Sequence, residues 1–414
     1  MIRLASIPLI VLLGIGVPVF WAYPGDLPWF RAAGIMVGWV GCGLLLVCLF
    51  LMLREPRLAS ALGGLERMYR WHHRVGMAAY VFLLLHPLLL AANPLPDWLL
   101  AWRTLTPFGQ GLPVWLGWAS LLLLMLGLGF TFARQIPYGR WRGLHISLGL
   151  AVILGLLHLI WLGIEEPVFP LLGLAAVFLA WRLLREDRGW SARPYTVRAA
   201  APLAEGMVEV TLSPLAEALP TRPGQFVLAA FYDGPVFRGC GEFHPFTIAG
   251  QTPDGDIRLG IKALGDCTRH LQTVDVGTQV RIDGAFGDFL DGRRERPQFW
   301  LAGGIGITPF VALLRAGKLA QTTTLLYLYR KESDAAFLAE LEQLAQADPR
   351  LVLRAFVTGD ALPDLAQLLP DRDTLAACDC YLCGPPGLIA TARNLLRQRG
   401  VRARAIHFEN FEFR

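Results

Sequence analysis

Six runs of about twenty mostly apolar residues fall within the first 185 positions of this 414-residue chain, and no other feature constrains the fold as strongly. At ~1.5 Å of rise per residue, about twenty helical residues cross the ~30 Å hydrocarbon core of a bilayer. The runs cover roughly 4–23, 32–53, 73–92, 112–133, 144–163 and 167–184. Charged residues make up 17% of the chain against an average of about 25%, and nearly all the acidic ones lie after residue 185. That asymmetry implies a membrane half followed by a soluble half. The first run, preceded by Arg3, has the look of a signal peptide. It is long and lacks a small-x-small cleavage site, so a retained helix is expected.

Basic residues set the expected orientation. Arg54, Arg57, Arg67 and Arg70 lie between the second and third runs, Arg134, Arg140 and Arg142 between the fourth and fifth, and Arg182 and Arg185 after the sixth. The alternate connections hold Asp26, Asp97, Arg103, Glu165 and Glu166. The positive-inside rule then puts the N-terminus, the arginine-rich loops and the soluble half in the cytoplasm. The net charge of +5 is mild, and its arginines flank spans, so no nucleic-acid partner is expected.

Two of the runs carry histidine at both ends. His72 and His86 bracket the third, and His145 and His158 the fifth. Ionisable groups inside a membrane span are costly and usually functional. Both helices run the same way, so each depth offers two imidazoles, about 20 Å apart along the helix. That is the ligand set of two six-coordinate b-type haems; packed polar groups or a proton relay are the alternatives. On an ideal helix His72 lies about 40° from His86 and His73 about 140° away, favouring His72 as the ligand. The same arithmetic puts His145 and His158 about 140° apart, so helix phase leaves the choice between His72 and His73 open.

The seven cysteines suggest no disulfide framework for a soluble half in a reducing compartment. Cys378-x-Cys380-x-x-Cys383 has tight spacing but lacks a fourth metal ligand nearby.

After a linker near 185–193, short strands bounded by Gly, Pro or Asp predict a small antiparallel barrel. Within it, His244-Pro245-Phe246-Thr247 can present an aromatic and a hydroxyl to a flat ring and a phosphate. Lys262, Gly265 and Thr268 form a Gly turn with a cation and a hydroxyl, suited to a pyrophosphate. From about residue 295 strand and helix alternate. Gly303-Gly304-Ile305-Gly306-Ile307-Thr308 joins an apolar strand to a helix, a turn through which backbone amides reach a pyrophosphate. Arg330-Lys331 ends the next strand, where cations suit the 2′-phosphate of NADP or simply a solvated end. Cys383-Gly384-Pro385-Pro386 closes a later strand at the crevice edge. Phe411 and Phe413, close to the terminus, either lie on a flavin ring or pack a last strand.

Taken together, these motifs resemble the ferric reductase and NADPH oxidase (NOX) superfamily, and most closely its prokaryotic NOX-like members. His-Pro-Phe-Thr, Gly-Gly-Ile-Gly-Ile-Thr-Pro and Cys-Gly-Pro-Pro are similar to the FAD and NAD(P)H motifs of ferredoxin-reductase-type modules. His-x13-His and His-x12-His are similar to the bis-haem domain. The resemblance implies a six-helix transmembrane bundle over 1–185, an FAD-binding β-barrel over 191–294 and a Rossmann-like α/β NAD(P)H domain over 295–414. It implies that Phe246 and Thr247, with His244 and Pro245 beside them, contact FAD. Gly303, Gly304, Gly306 and Thr308 would hold the dinucleotide pyrophosphate, with Cys383, Gly384 and Pro385 near the nicotinamide. Phe411 or Phe413 would stack on the isoalloxazine.

The implied activity is electron transfer from NADPH, with NADH possible, through FAD and two haems b to an acceptor across the membrane. O2 giving superoxide is one acceptor and a ferric chelate another; an electron-donating subunit for a partner protein is a third reading. Membrane lipid surrounds the bundle, and no obligatory protein partner is expected.

Overall fold

A computed structural model of the chain describes residues 2–21, 25–132, 138–166, 168–290, 295–317, 319–361 and 363–410. It forms two compact units, Met1–Trp190 and Ser191–Arg414.

The first unit is helical: α1 (Ile2–Trp21), α2 (Trp29–Leu51), α3 (Pro56–Leu62), α4 (Leu65–Ala92), α5 (Trp98–Leu105), α6 (Leu112–Phe132), α7 (Tyr138–Ile146), α8 (Leu148–Trp161) and α9 (Val168–Trp181), continued by a π-helical turn, Arg182–Asp187. Among the described residues, five stretches are long and apolar enough to cross a membrane: 29–51, 65–92, 112–131, 140–161 and 168–186. They correspond to the last five expected runs, and the first run is helical as α1, with the shorter apolar stretch Ser6–Trp21. Large apolar side chains point outward, Phe20 at 89% and Trp29 at 77% exposure among them. Only a lipid solvent makes that arrangement favourable, since it also forces the backbone polar groups into helices.

Small residues let the helices approach closely. Gly34-x-x-x-Gly38 and Gly41 line α2, and an added Cβ would meet Leu90 at 2.8 Å, His86 at 2.7 Å and Leu83 at 2.6 Å, all on α4. This is how helices pack where lipid removes the hydrophobic incentive to associate. Between α6 and α8, Ser120 donates to the Ala151 carbonyl (2.7 Å) with Gly155 beside it. Where α2 ends, the Arg54 N–H donates to buried Glu186 and the Arg54 guanidinium to the Tyr69 hydroxyl, tying α2, α4 and the π-turn together.

The second unit opens with a closed six-stranded antiparallel barrel. Its strands are β1 (Arg193–Ala204), β2 (Met207–Pro214), β3 (Phe226–Phe231), β4 (His244–Gln251), β5 (Ile257–Lys262) and β6 (Gln279–Phe286), in the order β1-β2-β5-β4-β3-β6. The short helix α10 (Asp266–His270) follows β5. Then comes a five-stranded parallel sheet of β7 (Gln298–Gly303), β8 (Thr323–Tyr329), β9 (Leu351–Val357), β10 (Asp379–Gly384) and β11 (Ile406–Asn410), in the order β11-β10-β7-β8-β9. Helices α11 (Thr308–Arg315), α12 (Leu338–Ala347), α13 (Leu365–Leu368), α14 (Arg372–Ala377) and α15 (Pro386–Gln398) connect its strands. The chain leaves β7 toward β8 on one side and returns to β10 on the other. The ends of β7 and β10 therefore bound the switch-point crevice where open α/β sheets take ligands.

Barrel and sheet are clamped by Arg315. Its guanidinium donates to Glu340 (2.7 Å) on α12, and to Glu209 (2.5 Å) and the Ala249 carbonyl (3.2 Å) on barrel strands. Ser333 and Glu205 add a second tie, hydroxyl to carboxylate at 2.7 Å.

One expectation is corrected. Cys240 and Cys267 are joined as a disulfide, where reducing surroundings argued against any. Twenty-seven positions separate them, but the antiparallel pairing of β4 with β5 brings the loop before β4 beside the start of α10, which spacing does not reveal.

Candidate electron-transfer site

Helices α2 and α4 run antiparallel, with the two histidines of α4 in register with backbone carbonyls of α2. The ring Nδ1 of His72 lies 3.1 Å from the Cys48 carbonyl, and that of His86 lies 2.8 Å from the Gly34 carbonyl. The acceptors are fourteen residues apart on α2 and the histidines fourteen apart on α4, so one pair of straight helices satisfies both. A helical carbonyl keeps a second lone pair for this. On the other side His158 Nδ1 sits 2.6 Å from the Pro113 carbonyl, and His145 Nδ1 3.3 Å from the Thr131 hydroxyl on α6.

Each ring is thus held through Nδ1, which leaves Nε2 as the ligand nitrogen. Metal-bound histidines are oriented in this way, the outer hydrogen bond fixing both tautomer and ring plane. The rings of His72 and His145 have centroids 6.0 Å apart. Two metal–nitrogen bonds of ~2.0 Å each, with the remaining ring radii, fill about that distance. His86 and His158 lie within electrostatic reach of each other. Gly38 faces the His86 ring and Gly117 the His158 ring, at 2.7 and 3.1 Å from an added Cβ. This donor set fits a planar group held between two imidazoles at each of two levels. His73, by contrast, is exposed.

The helix-phase conflict at His145 and His158 has a local cause. The helix is interrupted at Ser147, whose hydroxyl donates to the Leu144 carbonyl (2.6 Å) between α7 and α8. Ser147 keeps φ near −62° but has ψ of −17°, so the helix tightens there and an ideal-helix angle does not carry across it. Sequence reading also assigned Arg182 to topology alone, whereas it lies within electrostatic reach of both His72 and His145.

In the barrel, β4 alternates its side chains. Phe246 turns inward, 6% exposed and edge-on to Phe231 at 6.1 Å, within the barrel core. Thr247 takes the opposite face, where its hydroxyl is buried without a hydrogen-bond partner. A buried hydroxyl left unpaired is costly, and a flavin polar group is the kind of partner it lacks. His244 Nε2 lies 3.7 Å from Glu242, with Pro245 next to it on the strand.

In the turn after β5, Thr268 accepts from the N–H groups of Leu264 and Gly265, both at 2.9 Å, and so shapes the loop itself. Lys262 is half-buried; desolvation first, then the charge of Arg330, lowers its pKa. Two cations from barrel and sheet therefore share one neighbourhood, next to Asp334.

The Gly-rich turn meets the Cys-Gly-Pro-Pro segment directly. Ala302 and Cys383 pair across β7 and β10. A Cβ on Gly306 would stand 2.5 Å from the Cys383 carbonyl, and one on Gly303 2.8 Å from Pro385. Gly384 has φ of 154° and Gly304 of 54°, the second facing open space. Gly260 of β5 packs on Ile305 and Thr308, bringing the barrel wall against this turn. Thr308 spends its hydroxyl on the Ile305 carbonyl (2.7 Å), capping its own turn. Cys383 is fully buried, and burial, then Glu409, raises its thiol pKa well above the ordinary value. It forms a wall of the crevice with a protonated thiol. Phe411 and Phe413 lie outside the described residues.

Three family models match in series: a ferric reductase like transmembrane component over residues 37–156, an FAD-binding domain over 193–286 and an oxidoreductase NAD-binding domain over 300–394. The ferredoxin–NAD(P)(+) reductase component of the naphthalene 1,2-dioxygenase/salicylate 5-hydroxylase systems of Ralstonia sp. is 28% identical over 211 residues, 48% of this chain and 62% of that protein. A flavohemoprotein of Chromobacterium violaceum is 28% identical over 261 residues, 54% of this chain and 62% of that one. The chain thus spans less than two thirds of either relative. The flavohem-like FAD/NAD-binding domain of a nitric oxide dioxygenase from Vibrio cholerae superposes with a TM-score of 0.45 at 23% identity, over 53% of this chain and 98% of that one. The three matched domains, in this order, give the chain the ferric reductase and NADPH oxidase type of architecture: an NAD(P)H-dependent oxidoreductase fused to a membrane-spanning unit.

Proposed function

We propose, from that architecture, that the chain is a transmembrane NAD(P)H oxidase of a bacterial inner membrane. It passes electrons from NADPH through FAD and two b-type haems to O2 on the outer side, giving superoxide. One observation carries the reading: two pairs of histidines at two levels of one bundle, every ring held by Nδ1.

When bound, FAD links a two-electron hydride donor to one-electron carriers, and haem iron supplies the one-electron steps. His72 and His145 would hold the haem on the cytoplasmic side, and His86 and His158 the one on the outer side. The Nδ1 anchors would keep each ring turned so that its Nε2 stays available to hold the haem iron. Thr247 would donate its hydroxyl to the flavin, with His244 and Pro245 lining the same edge. Gly303, Gly304 and Gly306 would admit the dinucleotide's pyrophosphate to backbone contact. Lys262 and Arg330 would neutralise phosphates, the second favouring NADPH over NADH through the 2′-phosphate. Phe411 or Phe413 would cover the isoalloxazine. The basic residues of the connections support an orientation with the FAD and NAD(P)H domains in the cytoplasm, beside the NAD(P)H pool. The activity requires no protein partner.

The test is direct. FAD-loaded purified protein receives NADPH under air, and cytochrome c reduction is followed with and without superoxide dismutase. The oxidase reading expects dismutase to suppress most of the signal. Dismutase-insensitive reduction, with rapid anaerobic reduction of a ferric chelate, would establish a metal-chelate reductase instead.

A further inference from the structure

We propose that Cys240 and Cys267 are a reversible thiol–disulfide pair that sets how tightly the barrel holds FAD; the inference rests on the flavin reading above. Cys240 stands in the loop before β4, four residues ahead of His244, and Cys267 is the second residue of α10, next to Thr268. The bond, with Cα atoms 5.9 Å apart, therefore ties the head of the His-Pro-Phe-Thr strand to the turn shaped by Gly265 and Thr268. The strand is assigned to FAD above, and we assign the turn, suited to a pyrophosphate, to the same cofactor, so the link fixes two walls of one site relative to each other. The other five cysteines are unbonded.

The surroundings suit exchange. Cys240 is exposed and Cys267 half-buried, so small oxidants and thiols reach them. His244 Nε2 lies 3.7 Å from Cys240 Sγ and 3.7 Å from the Glu242 carboxylate, placing a base beside the more accessible sulfur. In a cytoplasm kept reducing, a surface disulfide acts as a responsive element rather than a permanent staple.

The oxidant is a hydroperoxide. The Cys240 thiolate attacks one peroxide oxygen, forming a sulfenic acid as the O–O bond breaks and, for hydrogen peroxide, water leaves after protonation. The Cys267 sulfur then attacks Cys240 Sγ, the S–S bond forms, and the sulfenic oxygen departs with the Cys267 proton as a second water. Two thiols have lost two electrons and two protons to one peroxide. A dithiol reverses the bond by exchange, becoming a disulfide itself. Closing the bond orders both walls before the cofactor arrives, and opening it returns that ordering cost to each binding event. The expected difference in affinity is about tenfold, or ~1.4 kcal/mol, comparable with ordering one or two interface side chains.

Full-length protein stripped of FAD is treated with hydrogen peroxide or dithiothreitol, desalted, and titrated with FAD by flavin fluorescence. Alkylation and mass spectrometry count the two thiols. The expected result is that peroxide protects both cysteines from alkylation and tightens FAD binding about tenfold, while Cys240→Ser and Cys267→Ser each bind at the reduced protein's level in both conditions. Equal affinity with the bond formed, free alkylation of both cysteines after peroxide, or one zinc ion per chain held by Cys240, Cys267 and His244, whose ligand atoms lie within 4.8 Å of one another, each overturns the pair as a redox element. Those three outcomes leave the flavin assignment standing; absence of FAD binding in either state overturns that assignment and the inference with it.

Discussion

Replacing Gly38 with alanine tests the histidine arrangement without touching a histidine. The added Cβ would stand 2.7 Å from His86 Nδ1 and 3.1 Å from Cε1. Ordinary contact begins near ~3.4 Å, so the ring must retreat by about 0.7 Å, and overpacking of this kind costs about 1–3 kcal/mol. The ring has little freedom to move, because the same Nδ1 is bonded to the Gly34 carbonyl at 2.8 Å, one turn earlier on α2. Either that bond breaks or Nε2 shifts from the place where it would hold the iron. Loss of such an outer hydrogen bond weakens metal binding by about 10–100-fold.

The same substitution at Gly117, where the Cβ meets His158 at 3.1 Å, should be milder. Gly129→Ala, with nothing within 4 Å, should be silent. The assay is haem stoichiometry by pyridine haemochromogen and low-temperature absorption on detergent-purified protein. Gly38→Ala is expected to lose most of one haem, Gly117→Ala to retain both with a shifted spectrum, and Gly129→Ala to match the wild type. Two unperturbed haems in Gly38→Ala would refute the reasoning that His86 Nε2 is a ligand held in place by Gly34.

Three further outcomes follow from the structure. His72→Ala should lose one haem while exposed His73→Ala keeps both, read by the same stoichiometry; the reverse pattern would transfer the ligand role to His73. Arg315→Met removes a guanidinium that joins Glu209 to Glu340 across barrel and sheet; with Glu340 about a third exposed, the loss should be ~2 kcal/mol, below the ~3–5 of a fully buried pair. A drop of about 4–8 °C in the flavin-release midpoint checks it, and an unchanged midpoint would show that the clamp carries no stability. Arg330→Ala should raise KM for NADPH about tenfold and leave that for NADH unchanged, the loss of one charge-assisted contact; equal effects on both would detach Arg330 from the 2′-phosphate.

How much of this was legible in the sequence depended on how local each cause is. Apolar runs, the barrel's turn-bounded strands and the Gly-rich turn after β7 are written over short windows, and the structure follows them. The four histidines were legible as a set for the same reason, since a polar group in an apolar run stands out. Their anchors were not. Gly34, Cys48, Pro113 and Thr131 carry no motif, and three of the four act through backbone carbonyls that every residue owns. The phase conflict at His145 came from treating two helices as one, and Ser147 inside an apolar run was the available warning. For Phe246, strand alternation counted from buried Ile248 already sends the ring inward.

The disulfide shows the opposite failure, in which a sound general rule met a specific juxtaposition. Compartment arguments describe the average fate of cysteine pairs, whereas Cys240 and Cys267 are brought together by the antiparallel pairing of β4 with β5. Packing of the barrel against the sheet sets Lys262 beside Arg330 and Gly260 against Ile305. Each of these joins a barrel residue to a partner distant in sequence. The second unit's chemistry therefore depends on strand pairing and on barrel-to-sheet packing, much as the first unit's depends on the register of α2 with α4. In both, the motif residues supply the reactive groups and unremarkable neighbours fix where those groups point.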